Sequence, residues 1–311
     1  LHATVSIVSA ADRILAVPGE IDFVRWVTAR QAAGGLVERA AGDDLAVLRW
    51  PAGELLLAGV DQVLDGVHFD SALHSPRRIG RKVMNRNLSD CAAMACLPAA
   101  ALVAVALPTG AGLDFARELY LGAHEAAAAF DCPIVGGDTA SWSHPLAMTV
   151  TILGHSDGIT PVRRDGARPG DGIFVTGPLG GSILGRHLDF VPRIHLAREL
   201  ARGWTITSMI DISDGLSRDL ANLAQASGVA ACLKADRVPI YIDARAQRPD
   251  GRTPLQRALH DGEDYELLFT APACDHPAAI RIGSIEAGDG LSIDLDGVRQ
   301  PLTPLGWEHR L

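Results

Sequence analysis

The sequence predicts an α/β chain of two domains, on three observations. Apolar runs of strand length alternate with longer segments of helical periodicity. The chain has 311 residues and 48% hydrophobic content, enough for a large core and for about two domains, with one very large domain as the alternative. The stretch SDGITPVRRDGARPGDG after His155 concentrates Gly, Pro and Asp, a composition that favours turns over packed elements. The boundary is placed there, giving an amino-terminal domain at 1–155 and a carboxy-terminal domain at 156–311.

In chain order, LLLAGV (55–60), ALVAVAL (101–107), PIVG (133–136), LAMTVTILG (146–154) and IFVTG (173–177) read as strands. Pro76 through Leu97 and Leu113 through Phe130 read as core-packed helices, the first with Pro76 as its initiating residue. The second half continues with strand SMI (208–210), helix LSRDLANLAQA, strands VAACLK and YELLFTA, and a hairpin LSIDLDGVRQ turning at Asp296-Gly297. No internal repeat or low-complexity tract interrupts this order. The opening LHATVSIVSAADRILAV is broken by Asp12 and Arg13, and is too short in apolar length for a membrane span or a convincing signal peptide.

Charge and cysteine usage exclude several classes. A net charge of -9 and a pI near 5.6 offer no basic patch to nucleic acid or to an anionic membrane, so neither is expected as a partner. An anionic substrate would need cations or local dipoles. Lys82 and Lys234 are the only lysines, so nearly all the positive charge is arginine; genome composition accounts for that as well as function does. Five cysteines, odd in number and without a CxxC pair, argue against a disulfide framework or a zinc ribbon and fit a reducing cytosol.

Several aspartates stand beside glycines where a strand or helix is expected to end: Asp43 and Asp44, Asp61, Asp138, Asp211 and Asp214. Carboxylates at such openings can bind hard cations through oxygen. The plain alternative for any one of them is an Asp-Gly type turn, as at Asp165-Gly166, Asp171-Gly172 and Asp289-Gly290. Asp90 is different. On the helix from Pro76, Ile79, Val83, Met84, Leu88, Cys91 and Met94 define an apolar arc that also contains Asn87 and Asp90, while Arg78, Arg81, Lys82 and Arg86 fall outside it. A carboxylate on a buried face requires a metal or an arginine partner.

Missing motifs narrow the chemistry further. There is no GxxxxGK[ST], and GPLGGS (177–182) has no lysine to reach phosphates. No GxGxxG follows a strand, no HExxH occurs, and the serine of DISDG lacks the first glycine of a nucleophile elbow.

Taken in order, GDDLAVL, DGVHF, NLSDCAAM, VGGDT, RDGARPGD, DISDGL and DGEDYELLF resemble the motif series of the thiamine monophosphate kinase family, over about Gly42 to Trp307. That family sits in the superfamily of aminoimidazole ribonucleotide synthetase, selenophosphate synthetase and a hydrogenase maturation factor. The resemblance implies a two-domain fold of that superfamily, α/β of the α+β type. Its amino-terminal domain would bind ATP and magnesium and form a homodimeric β-barrel, and its carboxy-terminal α/β domain would complete the cleft. It also implies direct transfer of the terminal phosphate of ATP to thiamine monophosphate in the cytoplasm.

Carried over by motif, the resemblance implies that Asp43, Asp61, Asp90, Asp138, Asp211 and Asp214 hold magnesium, with Asp90, Asp138 and Asp214 closest to the chemistry. Gly137, Asp138, Arg164 and Ser213 would serve ATP, and His68, Glu263 and Trp307 would receive thiamine monophosphate. Their plain alternatives are a loop histidine, a capping aromatic, a surface arginine and a solvated turn carboxylate.

Three departures stand out. Gly59-Val60 replaces the Ser-Thr that usually precedes the strand aspartate, AMAC replaces AMGA, and the stretch from Gly181 to His195 is short. They keep open a catalytically weakened ATP- and magnesium-binding paralogue. A same-fold enzyme with another phosphorylated acceptor fits less well: the first cysteine is Cys91 and the first lysine Lys82, and GWEHRL lacks the cysteine motif of the maturation factor.

Overall fold

The computed structural model describes residues 20–31, 34–40, 46–246, 250–272 and 277–308. Helix α1 (Glu20–Thr28) and the short strands β1 (Val37–Arg39) and β2 (Val47–Leu48) precede the first large unit. That unit comprises β3 (Leu56–Leu64), α2 (Pro76–Ala93), β4 (Leu97–Pro108), α3 (Leu113–Ala128), β5 (Ile134–Trp142) and β6 (Ala147–His155). Its sheet runs β3-β6-β4-β5, antiparallel except for the β4–β5 edge. Along β3 accessibility alternates: Leu57, Gly59, Asp61 and Val63 turn inward towards the helices, and Leu56, Ala58, Val60 and Gln62 face outward.

Helices α2 and α3 cover the inner face at very short range. A Cβ on Gly80 would lie 1.9 Å from the Leu119 carbonyl oxygen, and one on Gly122 would lie 1.9 Å from that of Arg77, so only glycine permits the crossing. Pro76 opens α2, as expected. The helix ends at Ala93 rather than Leu97, because Ala95 takes a left-handed φ of 55° and Leu97 already begins β4. Strand β5 extends well beyond PIVG, so Asp138, like Asp61, lies in mid-strand instead of at a strand end.

The second unit contains β7 (Asp171–Val175), α4 (Ile194–Gly203), β8 (Ser208–Asp211), α5 (Leu216–Ser227), β9 (Ala230–Lys234), α6 (Pro254–His260), β10 (Leu267–Pro272), β11 (Ile280–Glu286), β12 (Leu291–Leu295) and β13 (Val298–Pro301). Its seven-stranded sheet runs β13-β12-β9-β11-β7-β10-β8. The β12–β13 hairpin turns where expected, with both Asp296 (φ 54°) and Gly297 (φ 86°) left-handed as a type I′ turn requires.

Strand β7 is buried on both faces. Phe174, Met209 and Phe269 pack into a core shared with α2, α3 and α4, while Ile173, Ile210 and Leu268 pack with α5 and α6. The two sheets are therefore joined through one continuous apolar core, and the carboxyl end of β8 meets the carboxy-terminal part of α2 at Ser89. Among the described residues no helix is long and apolar enough to cross a membrane.

Candidate active site

Three charged side chains one helical turn apart, Lys82, Arg86 and Asp90, line one face of α2 and organise the cleft between the two units. Lys82 was expected outside the apolar arc, yet it is 0% exposed. Its ammonium donates to the His68 carbonyl (2.6 Å) and to Glu263, and contacts His187 Nδ1 (2.6 Å). Burial pulls Lys82 down to about 8, against the lift from Glu263. One turn on, Arg86 Nε donates to Asp61 Oδ2 (2.9 Å) and Nη1 to Glu263 Oε1 (3.2 Å). Burial would raise the Glu263 carboxyl, but His187, Lys82 and Arg86 outweigh it and hold it at about 2.

Asp90 also departs from expectation. Asn87 is the fully buried member of the pair and donates to Val83 O within its own helix (3.0 Å), whereas Asp90 is open to solvent at the cleft. Its carboxyl stands against β3, since a Cβ on Gly59 would lie 3.8 Å from Asp90 Oδ2. The surrounding protein walls, then the negative charges of Asp211 and Asp61, push Asp90 up to about 8. Asp211, at the end of β8, is buried and accepts from Ser89 Oγ (2.6 Å); burial raises its pKa and Ser89 opposes the rise. Arg164 is exposed in its loop, and its charge lowers both Asp90 and Asp211.

The loop from Asp211 into α5 is strapped to two other segments. Glu263 N donates to Ser213 O (2.7 Å), Tyr265 N to Ile212 O (2.9 Å), and Trp307 N to Asp214 O (3.0 Å). Ser213, Asp214, Glu263 and Trp307 are thus neighbours through their backbones, with the Trp307 side chain half exposed. The strap is conformationally costly: Glu263 (φ 54°) and Tyr265 (φ 52°) are non-glycine residues in the left-handed region, a pattern that concentrates at functional sites. Asp219 braces the loop from below, its buried carboxylate accepting from Asp214 N and Gly215 N (3.1 Å each).

His68 is buried and turned back on its own strand, its Nδ1 accepting from Leu64 N (3.0 Å). Asp138 is not brought to this cleft within the chain. The register aligns it with Ala104, Thr149 and Gln62, on the edge strand opposite β3 and on the face away from α2. Three strand spacings, about 14 Å, separate it from β3. Gly137 and Asp138 instead border an open, largely apolar groove with Phe23, Val27, Val105 and Tyr120. Asp43 lies outside the described residues. Among the described residues, no three His, Cys, Asp or Glu side chains gather closely enough to hold one ion.

The family profile described as AIR synthase related protein, N-terminal domain, matches residues 42–156. The thiamine-monophosphate kinase of Rhodopirellula baltica is 42% identical over 258 residues, covering 80% of this chain and 81% of that one. The chain belongs to the thiamine-monophosphate kinase family. Among solved structures, the thiamine-monophosphate kinase of Stenotrophomonas maltophilia K279a is 33% identical with a TM-score of 0.75, covering 88% of this chain and 95% of that one. AaThiL complexed with AMPPCP and TMP is 29% identical, also with a TM-score of 0.75, over 94% and 97%. The fold is therefore the mixed α/β fold of this family.

Lys82, Arg86, His187 and Asp219 were missed by sequence reasoning. The signal for the first was present, since Lys82 is one of only two lysines in the chain. Nothing local marks His187, whose partners lie more than a hundred residues before it and some seventy-five after it.

Proposed function

We propose that this family member transfers the terminal phosphoryl group of ATP to the phosphate of thiamine monophosphate, giving thiamine diphosphate. The observation that carries this reading is the convergence of Asp61, Asp90 and Asp211 on a cleft that also holds Arg86 and is strapped to Glu263. AaThiL, which shares the fold, was complexed with AMPPCP and TMP.

The carboxylates facing the cleft are the hard oxygen donors magnesium takes, and since no three of the described side chains gather on one point, water and phosphate oxygens would complete its shell. Burial first, and then the charges of Asp211 and Asp61, raise Asp90, and a cation beside these carboxylates would relieve the second of these. Asp90, Asp211 and Asp214 would hold it, with Asp43, Asp61 and Asp138 assigned by motif alone and Asp61 paired with Arg86 in this structure; magnesium would supply neutralisation of phosphate oxygens that otherwise repel one another. Asp90, Asp138 and Asp214 are assigned the positions nearest the transfer. Gly137, Asp138, Arg164 and Ser213 are assigned to ATP, and His68, Glu263 and Trp307 to thiamine monophosphate. Ser89 fixes the Asp211 carboxylate, and Asp219 fixes the backbone that presents Ser213 and Asp214.

We further infer a division into domains at 1–155 and 156–311, a homodimer formed through the outward face of the first sheet, and a cytoplasmic location. Exposed Leu56, Val60 and Leu102 on that sheet support the dimer, and the free thiols Cys91, Cys96, Cys132 and Cys232 support the location. Incubation of the purified protein with ATP, magnesium and thiamine monophosphate tests the activity. Absence of thiamine diphosphate, when another member of the family produces it under the same conditions, refutes it. Gly59-Val60 favours a second reading, a nucleotide-binding chain without turnover; tight ATP binding by calorimetry without phosphate transfer would select it.

A further inference from the structure

The carboxylate cleft contains a cation of its own. Arg86 sits on the inner face of α2 one turn before Asp90, and its side chain is only 14% exposed. It engages two carboxylates from different parts of the chain, Asp61 on β3 through Nε and Glu263 through Nη1. Its remaining nitrogen, Nη2, makes no hydrogen bond among the described residues, although a guanidinium carries five N–H donors in a fixed fork suited to phosphate.

The Asp61 carboxylate is therefore already neutralised by an arginine. Beside it Gly59 contributes no side-chain oxygen, and a Cβ there would point towards Asp90 Oδ2 at 3.8 Å. Glu263 does not depend on Arg86, because Lys82 and His187 hold it independently. Arg86 can thus shift its fork towards a bound anion without leaving Glu263 a buried, uncompensated charge.

We propose that Arg86 is a built-in cation of the phosphoryl-transfer site: its guanidinium neutralises Asp61 in place of a metal ion and offers Nη2 to a phosphate oxygen. The inference rests on the kinase reading for the identity of the anion, but the exchange of arginine for metal at Asp61 does not. An arginine aimed at charge that develops during transfer acts chiefly on turnover, whereas a purely structural arginine would alter stability and leave turnover alone.

The test compares wild type with Arg86→Met. In the ligand-free proteins, Mn2+ binding is counted by electron paramagnetic resonance. Arg86→Met should bind one more equivalent than wild type, and the Asp61→Asn/Arg86→Met double variant should lose it again. In turnover, kcat for thiamine diphosphate formation should fall about 100-fold with KM for ATP changed less than about threefold, and added guanidinium ion should restore part of the loss. Arg86→Gln, which keeps hydrogen-bonding capacity without charge, carries the same expectations if the methionine variant does not fold. Equal Mn2+ equivalents in wild type and variant, or a kcat within about threefold of wild type, overturn the proposal. If wild type forms no thiamine diphosphate, the kinase reading falls and the Mn2+ comparison still decides whether Arg86 replaces a metal.

Discussion

Replacing Lys82 with methionine removes the one ammonium that is wholly enclosed at the junction of the two units. Three groups lose their donor or contact together: the His68 carbonyl, His187 Nδ1 and the Glu263 carboxylate. The drop of Glu263 from 4.5 to about 2 corresponds to roughly 3 kcal/mol of net stabilisation of its charged form, shared among His187, Lys82 and Arg86 after the burial cost is met. Because Glu263 keeps Arg86 and His187, Lys82→Met should cost about 3 kcal/mol, the low end of the range for breaking a buried ion pair.

Urea unfolding at pH 7 measures this cost, and a cycle with Glu263→Gln should return a coupling of about 2 kcal/mol. The sign with pH also follows. A carboxyl whose folded pKa is depressed stabilises fully above 4.5, and that stability is lost as pH falls through about 2, so the Lys82→Met deficit should shrink towards acid. An unfolding free energy within about 0.5 kcal/mol of wild type, or no coupling to Glu263, would refute the reasoning.

Gly122→Ala places a methyl 1.9 Å from the Arg77 carbonyl oxygen and should destabilise by about 3 kcal/mol or force α2 and α3 apart, visible as a lower thermal midpoint. Because Asp90 is raised to about 8, it is largely protonated at pH 7 without metal, and magnesium binding should release close to one proton per site. Calorimetry in buffers of different ionisation enthalpy reads that proton; identical apparent enthalpies would count against it. Gly59→Ser should be tolerated within about 1 kcal/mol, since its Cβ meets Ile152 Cγ2 at 3.6 Å and Asp90 Oδ2 at 3.8 Å, and it should tighten Mn2+ binding beside Asp90. Unchanged Mn2+ affinity in that variant would show that the hydroxyl does not reach the ion.

What was legible in the sequence was what short-range chemistry decides. The Asp296-Gly297 turn and the start of α2 at Pro76 follow from local backbone preferences and appear as expected. Helices α4 and α6 are not expected from the sequence reading, α6 despite the Thr253–Gln256 capping box that announces it. The apolar arc on α2 misplaced Lys82 because periodicity treats a charged residue as solvent-facing, whereas its ammonium is enclosed by the His68 carbonyl, His187 and a carboxylate 181 positions away. Asp61 and Asp138 share similar local motifs, yet strand order sends them to opposite edges of one sheet, information that no single strand contains.

The spacing along α2 has a consequence for selectivity. Lys82, which holds Glu263, and Asp90, which faces Asp211, are eight residues apart, so one rigid rod separates the two ends of the cleft by about 12 Å. Wedged against α3 at Gly80 and Gly122, that rod cannot slide. With the proposed assignment of Glu263 to the cationic ring of the acceptor and of magnesium around Asp90 to its phosphate, the rod would act as a gauge of the distance between the two. On that assignment, a compound carrying both groups on a shorter tether would reach Glu263 or the magnesium held around Asp90, but not both at once.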